Sequence, residues 1–181
     1  MKTLHVNENI VLRALAPGDK YDIFQAIDTQ RDYLGPWLPF VAYTHQIEDT
    51  ENFVQSILDV PEDQREHVFV IRFNGQFAGI IGFKDTDRIN RRTEIGYWLS
   101  EDFQKKGIIT MSVKVLLHYA FTELDLNRVQ IRCAQGNLPS LNIPRRLGFT
   151  FEGIERAGEL LSNGEFADLE VYSMLRGEFR E

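Results

Sequence analysis

Apolar positions along the chain change period, and the changes mark the elements. Ile10 to Leu15 reads as a strand. Pro17 then opens a helix at its first position, where a missing N–H costs nothing, and Ile23, Phe24 and Ile27 give that helix an apolar face. Leu34-Gly35-Pro36-Trp37-Leu38-Pro39-Phe40 is broken by prolines and reads as an aromatic loop. A second helix passes through Phe53, Val54, Ile57 and Leu58 and ends near Pro61. The period then falls from 3.6 to 2. His67 to Phe73 and Gln76 to Lys84 predict two strands joined by Asn74-Gly75, a two-residue hairpin signal. Thr93 to Leu99 predicts a further strand, and Ser100 to Lys106 a loop. A long helix from about Gly107 to Leu124 carries one stripe of Ile109, Val113, Leu116, Ala120 and Leu124. A strand at Arg128 to Ala134 and a short helix at Leu138 to Leu147 follow. The last hairpin pairs Phe149 to Leu161 with Phe166 to Leu175, turned at Asn163-Gly164. Strands and helices in this order predict an α+β fold on a mixed sheet.

Length and composition narrow the class. The 181 residues fit one domain spanning 1–181, large enough to need no disulfide or metal. No apolar run approaches a membrane span, and Met1 to Leu12 lacks a signal-peptide core. The single cysteine, Cys133, cannot form an intrachain disulfide and reads as a buried thiol, so the expectation is a soluble cytoplasmic protein. The formal net charge of −7 disfavours nucleic acid as a partner. Within that acidic chain, the pairs Lys105-Lys106 and Arg145-Arg146 each lie beside glycines, which suggests a small anionic ligand.

The segment Gln104-Lys105-Lys106-Gly107-Ile108-Ile109-Thr110 stands where a strand and loop run into a helix. A helix N-terminus offers unpaired N–H groups and partial positive charge to a phosphate, and Gly107 lets the backbone approach it. A Walker-A loop places its lysine after the last glycine, whereas Lys106 precedes Gly107, and no G-x-G-x-x-G is present. His5, His45, His67 and His118 show no metal-ligand spacing, so no metal is expected. No G-x-S-x-G elbow supports a serine hydrolase.

Glu94-Ile95-Gly96-Tyr97-Trp98-Leu99 followed by Gln104-x-x-Gly107 resembles the central motif of the GNAT acetyltransferase superfamily. There the pattern Q-x-x-G-x-[GA] wraps the coenzyme A pyrophosphate. Asn137-x-x-Ser140 with Arg146-Leu147-Gly148-Phe149 resembles that superfamily's second coenzyme A element. The chain is most similar to the group that acetylates ribosomal-protein N-termini, and the likeness extends from Trp37-Leu38-Pro39 through Phe151-Glu152-Gly153 to Asn163-Gly164. It implies a central, mostly antiparallel mixed sheet of about seven strands flanked by helices. It also implies acetyl-CoA as co-substrate, held by Trp98, Leu99, Gln104, Lys105, Lys106, Gly107, Ile108, Ile109, Thr110, Asn137, Ser140 and Arg146. Two positions depart from the pattern. Ile109 replaces Gly or Ala and is expected to point into the core. Pro144 sits inside the short helix, cannot bond to the carbonyl of Ser140, and is expected to leave that carbonyl free.

Acetyl transfer to an amine needs a neutral amine, donors for the oxyanion and a proton for the thiolate. The resemblance implies Glu159 as base through water, Glu94 as second candidate, and Ser140 as acid, with Tyr97-Trp98-Leu99 offering backbone N–H groups. On local rules alone, Glu94 and Glu159 are equally carboxylates paired with an arginine such as Arg92 or Arg156, and Ser140 and Asn137 are helix caps. Alternation places Glu94 with Gly96 and Trp98, opposite Ile95, Tyr97 and Leu99. Trp37, Phe40, Phe83 and Asn163 are expected to wall the acceptor site, although Trp37 and Phe40 read equally as lids on the core. Three readings stand: N-terminal acetylation of a protein such as a ribosomal protein, acetylation of a small amine (polyamine, aminoglycoside or amino acid), and a non-catalytic acyl-CoA-binding module. The early helices or the C-terminal hairpin are the expected contacts of a homodimer.

Overall fold

The computed structural model describes residues 2–180. Eight strands form one sheet: β1 (Thr3–His5), β2 (Ile10–Ala14), β3 (Val68–Phe73), β4 (Gln76–Asp87), β5 (Arg92–Leu99), β6 (Arg128–Ala134), β7 (Thr150–Leu160) and β8 (Phe166–Leu175). Their spatial order is β1-β2-β3-β4-β5-β6-β8-β7. The helices are α1 (Lys20–Thr29), α2 (Arg31–Leu34), α3 (Ile47–Leu58), α4 (Ile108–Thr122) and α5 (Leu138–Arg146).

The eighth strand is β1, three residues long and too short to show a period. The segment read as an aromatic loop is more regular than its prolines suggest, with a helical turn at α2 and a 3-10 turn at Pro39–Tyr43. Asn74 (φ +48°) and Gly75 (φ +79°) supply the two left-handed residues that fix the β3–β4 hairpin.

Every neighbouring pair is antiparallel except β5 and β6. A parallel pair needs a crossover, and α4 provides it. α4 lays Ile109, Val113, Leu116 and Ala120 against Ile81, Phe83, Ile95, Val129 and Ile131 in the larger apolar cluster. On the other face α1 and α3 cover Val70, Ile80 and Trp98. That second cluster contains no residue of β6, β7 or β8, so α1 and α3 shelter only one half of this face.

Phe83 corrects the sequence reading. It is 2% exposed and stacks on Tyr119 of α4, ring centroids 6.3 Å apart and 17° from coplanar. Alternation turns Phe83 toward α4 and its neighbour Lys84 toward the open face, where Lys84 pairs with Glu94.

Candidate active site

The central feature is a place where two strands part. β5 and β6 pair at Arg92↔Arg128, Thr93↔Val129 and Glu94↔Gln130, and there the parallel ladder ends. Yet β5 continues with β4 to Leu99↔Gly79, and β6 continues with β8 to Ala134↔Leu169. Past Glu94 the facing edges of Ile95 to Leu99 and Ile131 to Ala134 therefore diverge, leaving a cleft edged by backbone groups free of a ladder partner across it.

At the cleft's end lies the phosphate-binding candidate. Gly107 caps α4 at φ +72° without a side-chain bond, a conformation that favours glycine. The first helical bond runs from the Met111 N–H to the Gly107 carbonyl at 3.0 Å. The N–H groups of Ile108, Ile109 and Thr110 thus start the helix without an intrahelical acceptor. Ile108 and Ile109 are buried in the core, so only their backbone can meet a phosphate, and the departure at Ile109 is absorbed by apolar packing. Gln104 is held by Tyr33, to whose hydroxyl its side-chain amide donates. Lys106 donates to the Asp102 carbonyl at 2.8 Å and lies over the Phe73 and Phe103 rings, while Lys105 is exposed at φ +60°. From α5, Arg146 reaches Thr110 Oγ1 at 3.2 Å, joining the two elements that the sequence could only place separately.

Within the cleft the structure separates two residues that both read as caps. Asn137 is the cap of α5, accepting the Ser140 N–H at 3.4 Å. Ser140 turns its hydroxyl elsewhere: Oγ lies 3.3 Å from Tyr97 Oη and 3.2 Å from Cys133 Sγ. Burial raises the Cys133 thiol pKa, in keeping with an inert thiol. Leu99 packs against the larger cluster. Trp98 faces the opposite side, tilted on Phe77 at 5.7 Å, so it can serve the cleft only through its backbone.

The two carboxylate candidates differ sharply. Glu94 is 2% exposed and both its oxygens are engaged. Lys84 Nζ lies 2.8 Å from Oε1, while Arg132 Nε at 2.6 Å and Gln130 Nε2 at 2.9 Å share Oε2. Gly96 leaves room for the Lys84 stem to reach it. Glu94 thus holds a buried ionic knot where β5 and β6 begin to part. Arg132 also binds Glu155 at 3.0 Å, and a cavity of about 200 Å³ is lined by Asp85, Arg92, Thr93, Glu94, Gln130 and Arg132.

Glu159 makes no side-chain hydrogen bond among the described residues. Burial raises its pKa, against the downward pull of Lys84 and Arg132 and with a further push from Glu94. Its placement comes from a bulge: β7 pairs at Glu155↔Leu169 and next at Glu159↔Ala167. Ala157 sits at φ +50°, and its N–H donates to Asp168 Oδ1 at 2.8 Å. Such a bulge re-aims the strand's side chains.

Apart from Phe83, the residues expected to wall the acceptor site lie on the segment before α3 and at the tip of the last hairpin. The Trp37 ring lies 3.5 Å from where a Cβ on Gly136 would stand, beside the cap of α5. Ser162, at the tip of the last hairpin, donates to the Gly35 carbonyl at 2.8 Å. Asn163 at the same tip is engaged with Glu165, and Phe40 is 40% exposed. The sequence reading names the strand end at Phe83-Lys84 as an acceptor wall and Tyr97 for its backbone alone; it misses the Tyr97 hydroxyl, Gln130 and Arg132 as site groups. The alternation of Arg128, Gln130 and Arg132 with Val129, Ile131 and Cys133 marks the polar face of β6, but nothing local says which strand that face meets.

Comparison with known proteins finds acetyltransferases over nearly the whole chain. The family described as acetyltransferase (GNAT) domain matches residues 9–150. The chain is 38% identical to YdaF of Bacillus subtilis (strain 168), provisionally named a ribosomal N-acetyltransferase, over 99% of this chain and 98% of that one. It is 29% identical to the ribosomal-protein-serine acetyltransferase of Escherichia coli (strain K12), over 96% and 97%. Among solved structures it resembles RimL, a ribosomal L7/L12 alpha-N-protein acetyltransferase in complex with coenzyme A through a cysteine disulfide. That match has a TM-score of 0.90 and 29% identity, covering 96% of this chain and 98% of the other.

Proposed function

The chain belongs to the GNAT acetyltransferase family and is an acetyl-CoA-dependent N-acetyltransferase, and from that premise we propose that its acceptor is the α-amine of a protein N-terminus, such as that of a ribosomal protein. The observation that carries this reading is Glu159. It is a half-buried carboxylate without a side-chain bond of its own, its pKa raised by burial, on the face that α1 and α3 leave uncovered. A base with a raised pKa is matched to removing an ammonium proton near neutrality. The names of the ribosomal-protein relatives, matched over nearly the whole chain, support a protein acceptor.

In this reading coenzyme A lies in the β5–β6 cleft, its pyrophosphate on the α4 N-terminus with Gln104, Lys105, Lys106 and Arg146 around it. Asn137 Nδ2 remains available because the cap uses only Oδ1. Glu159, through water, takes a proton from the amine. The nitrogen lone pair then attacks the thioester carbon, and the carbonyl π pair moves onto oxygen, which backbone N–H groups of Tyr97 to Leu99 stabilise. On collapse the oxyanion pair re-forms the carbonyl, the C–S bond breaks with its electron pair on sulfur, and the proton of Ser140 Oγ passes to that sulfur. The cationic nitrogen loses its second proton to water, which leaves a neutral amide. Solvent restores the serine proton and receives the one held by Glu159. Glu94 holds the floor rather than acting as base, because its oxygens are already bonded.

The test is free-thiol release from acetyl-CoA against peptides and small amines, with wild type and Glu159→Gln. Turnover on peptides beginning with Ser or Ala, lost in the variant, is the expected result. Turnover on small amines alone would replace the acceptor and keep the chemistry. Tight acetyl-CoA binding without turnover on any amine would overturn the enzymatic reading in favour of an acyl-CoA-binding module.

A further inference from the structure

Pro144 lies inside α5, where it has no N–H to give the carbonyl four residues back, that of Ser140. A carbonyl stranded in this way needs another donor, and Tyr97 provides it: its hydroxyl donates to the Ser140 carbonyl at 3.1 Å. The same phenol oxygen is 3.3 Å from Ser140 Oγ. One phenol, on β5, thus reaches both oxygens of one serine, while Cys133 Sγ holds the other side of Oγ from β6 at 3.2 Å. Ser140 is gripped from both lips of the cleft.

A phenol has one proton, so it serves only one of those oxygens at a time. With that proton on the carbonyl, the Ser140 hydroxyl donates to Tyr97 Oη or to Cys133 Sγ and is drawn away from a thiolate. With it turned to Oγ, the serine proton is released to point into the cleft, and the incoming hydrogen bond strengthens Ser140 as a donor.

We infer that Tyr97 is a positioning residue for acetyl transfer, whose O–H swings from the Ser140 carbonyl to the Ser140 hydroxyl as charge develops on the departing sulfur. No bond to Tyr97 forms or breaks. Burial holds the phenol well above its ordinary pKa, so Tyr97 stays protonated and is not itself the acid. Pro144 is part of the device: an ordinary residue there would bond the carbonyl permanently and remove the reason for Tyr97 to stand beside it. This inference rests on the reading of Ser140 as donor to the thiolate.

The experiment compares kcat, KM for acetyl-CoA and thermal midpoint in Tyr97→Phe, Ser140→Ala, their double variant, and Tyr97→Phe with Pro144→Ala. Tyr97→Phe is expected to lower kcat about 10- to 30-fold while KM for acetyl-CoA stays within about 2-fold. In the Ser140→Ala background the same change should add less than about 2-fold, because the two act as one unit. Pro144→Ala returns an amide donor to the Ser140 carbonyl, so with Tyr97→Phe it should recover the thermal midpoint and leave kcat low. It also carries the test if Tyr97→Phe alone does not fold. Recovery of kcat in that double variant would reduce Tyr97 to a carbonyl cap and overturn the inference. A full Tyr97→Phe loss in the Ser140→Ala background would overturn it too. Ser140→Ala slow with Tyr97→Phe unaltered sinks this inference alone, whereas Ser140→Ala at wild-type kcat sinks the donor reading and this inference with it.

Discussion

Arg146, in the last turn of α5, donates to Thr110 Oγ1 in the first turn of α4 at 3.2 Å. That bond ties α5 to the first turn of α4, and leaves the rest of an exposed guanidinium available to the pyrophosphate that the proposed function places at the α4 N-terminus. Arg146→Ala is expected to raise KM for acetyl-CoA about 5- to 10-fold, close to one charge-assisted hydrogen bond, with kcat within about 2-fold. Steady-state kinetics at two salt concentrations check it. An unchanged KM at both would remove Arg146 from the site.

Glu159→Gln should lower kcat/KM by about 10²- to 10⁴-fold, the usual range for a lost general base. Wild-type activity should fall on the acid side as Glu159 is protonated, with a midpoint above the ordinary carboxylate value because burial raises its pKa. That limb should vanish from the residual activity of the variant. The stability sign runs the other way. With the folded pKa raised, the folded state binds the proton more tightly and loses stability as pH rises through the window between the unfolded and folded values. At pH 7 the variant's thermal midpoint should therefore equal or exceed that of wild type.

Glu94→Gln should show the opposite pattern. Removing the charge leaves Arg132 and Lys84 around a buried amide that cannot neutralise them, so a loss of about 2–4 kcal/mol is expected. Urea denaturation reads this directly. A stable Glu94→Gln variant with abolished turnover would instead restore Glu94 as the base.

Glu152 reports on the outer half of the sheet. Arg128 grips it at 2.6 and 2.5 Å and Ser173 adds 2.8 Å, and Arg128 above all lowers its pKa to about 2. A depressed pKa stabilises the fold above the unfolded value and loses that contribution as pH falls toward the folded one. Glu152→Gln should thus be less stable than wild type at pH 7, by about 1 kcal/mol given its partial exposure. The gap should narrow as pH drops from about 4.5 toward about 2. Urea midpoints across that range test it, and a constant gap would assign the loss to packing rather than charge.

What the sequence determined alone was whatever depends on neighbours along the chain. Periodicity gave the strands and helices because side-chain direction follows local geometry, and Asn74-Gly75 dictated its hairpin through its φ angles. Gly107 marked the helix start, and the ordered motifs named the cofactor before any contact was known. Pro144 even announced a Ser140 carbonyl without its helical donor, though the sequence did not show that Tyr97 would fill that place. The tertiary structure alone decided what depends on residues far apart meeting. Phe83 belongs to α4 and not to an acceptor, since only the sheet's layering tells which face a helix covers. Glu94 and Glu159 look alike as letters, but Lys84, Gln130 and Arg132 converge on one and leave the other without a bond. The cleft itself has no local signature: β5 and β6 part after Glu94 because each follows a different antiparallel neighbour. Tyr97, read as an apolar-face position, became the partner of Ser140 only once the two lips of that cleft were set side by side.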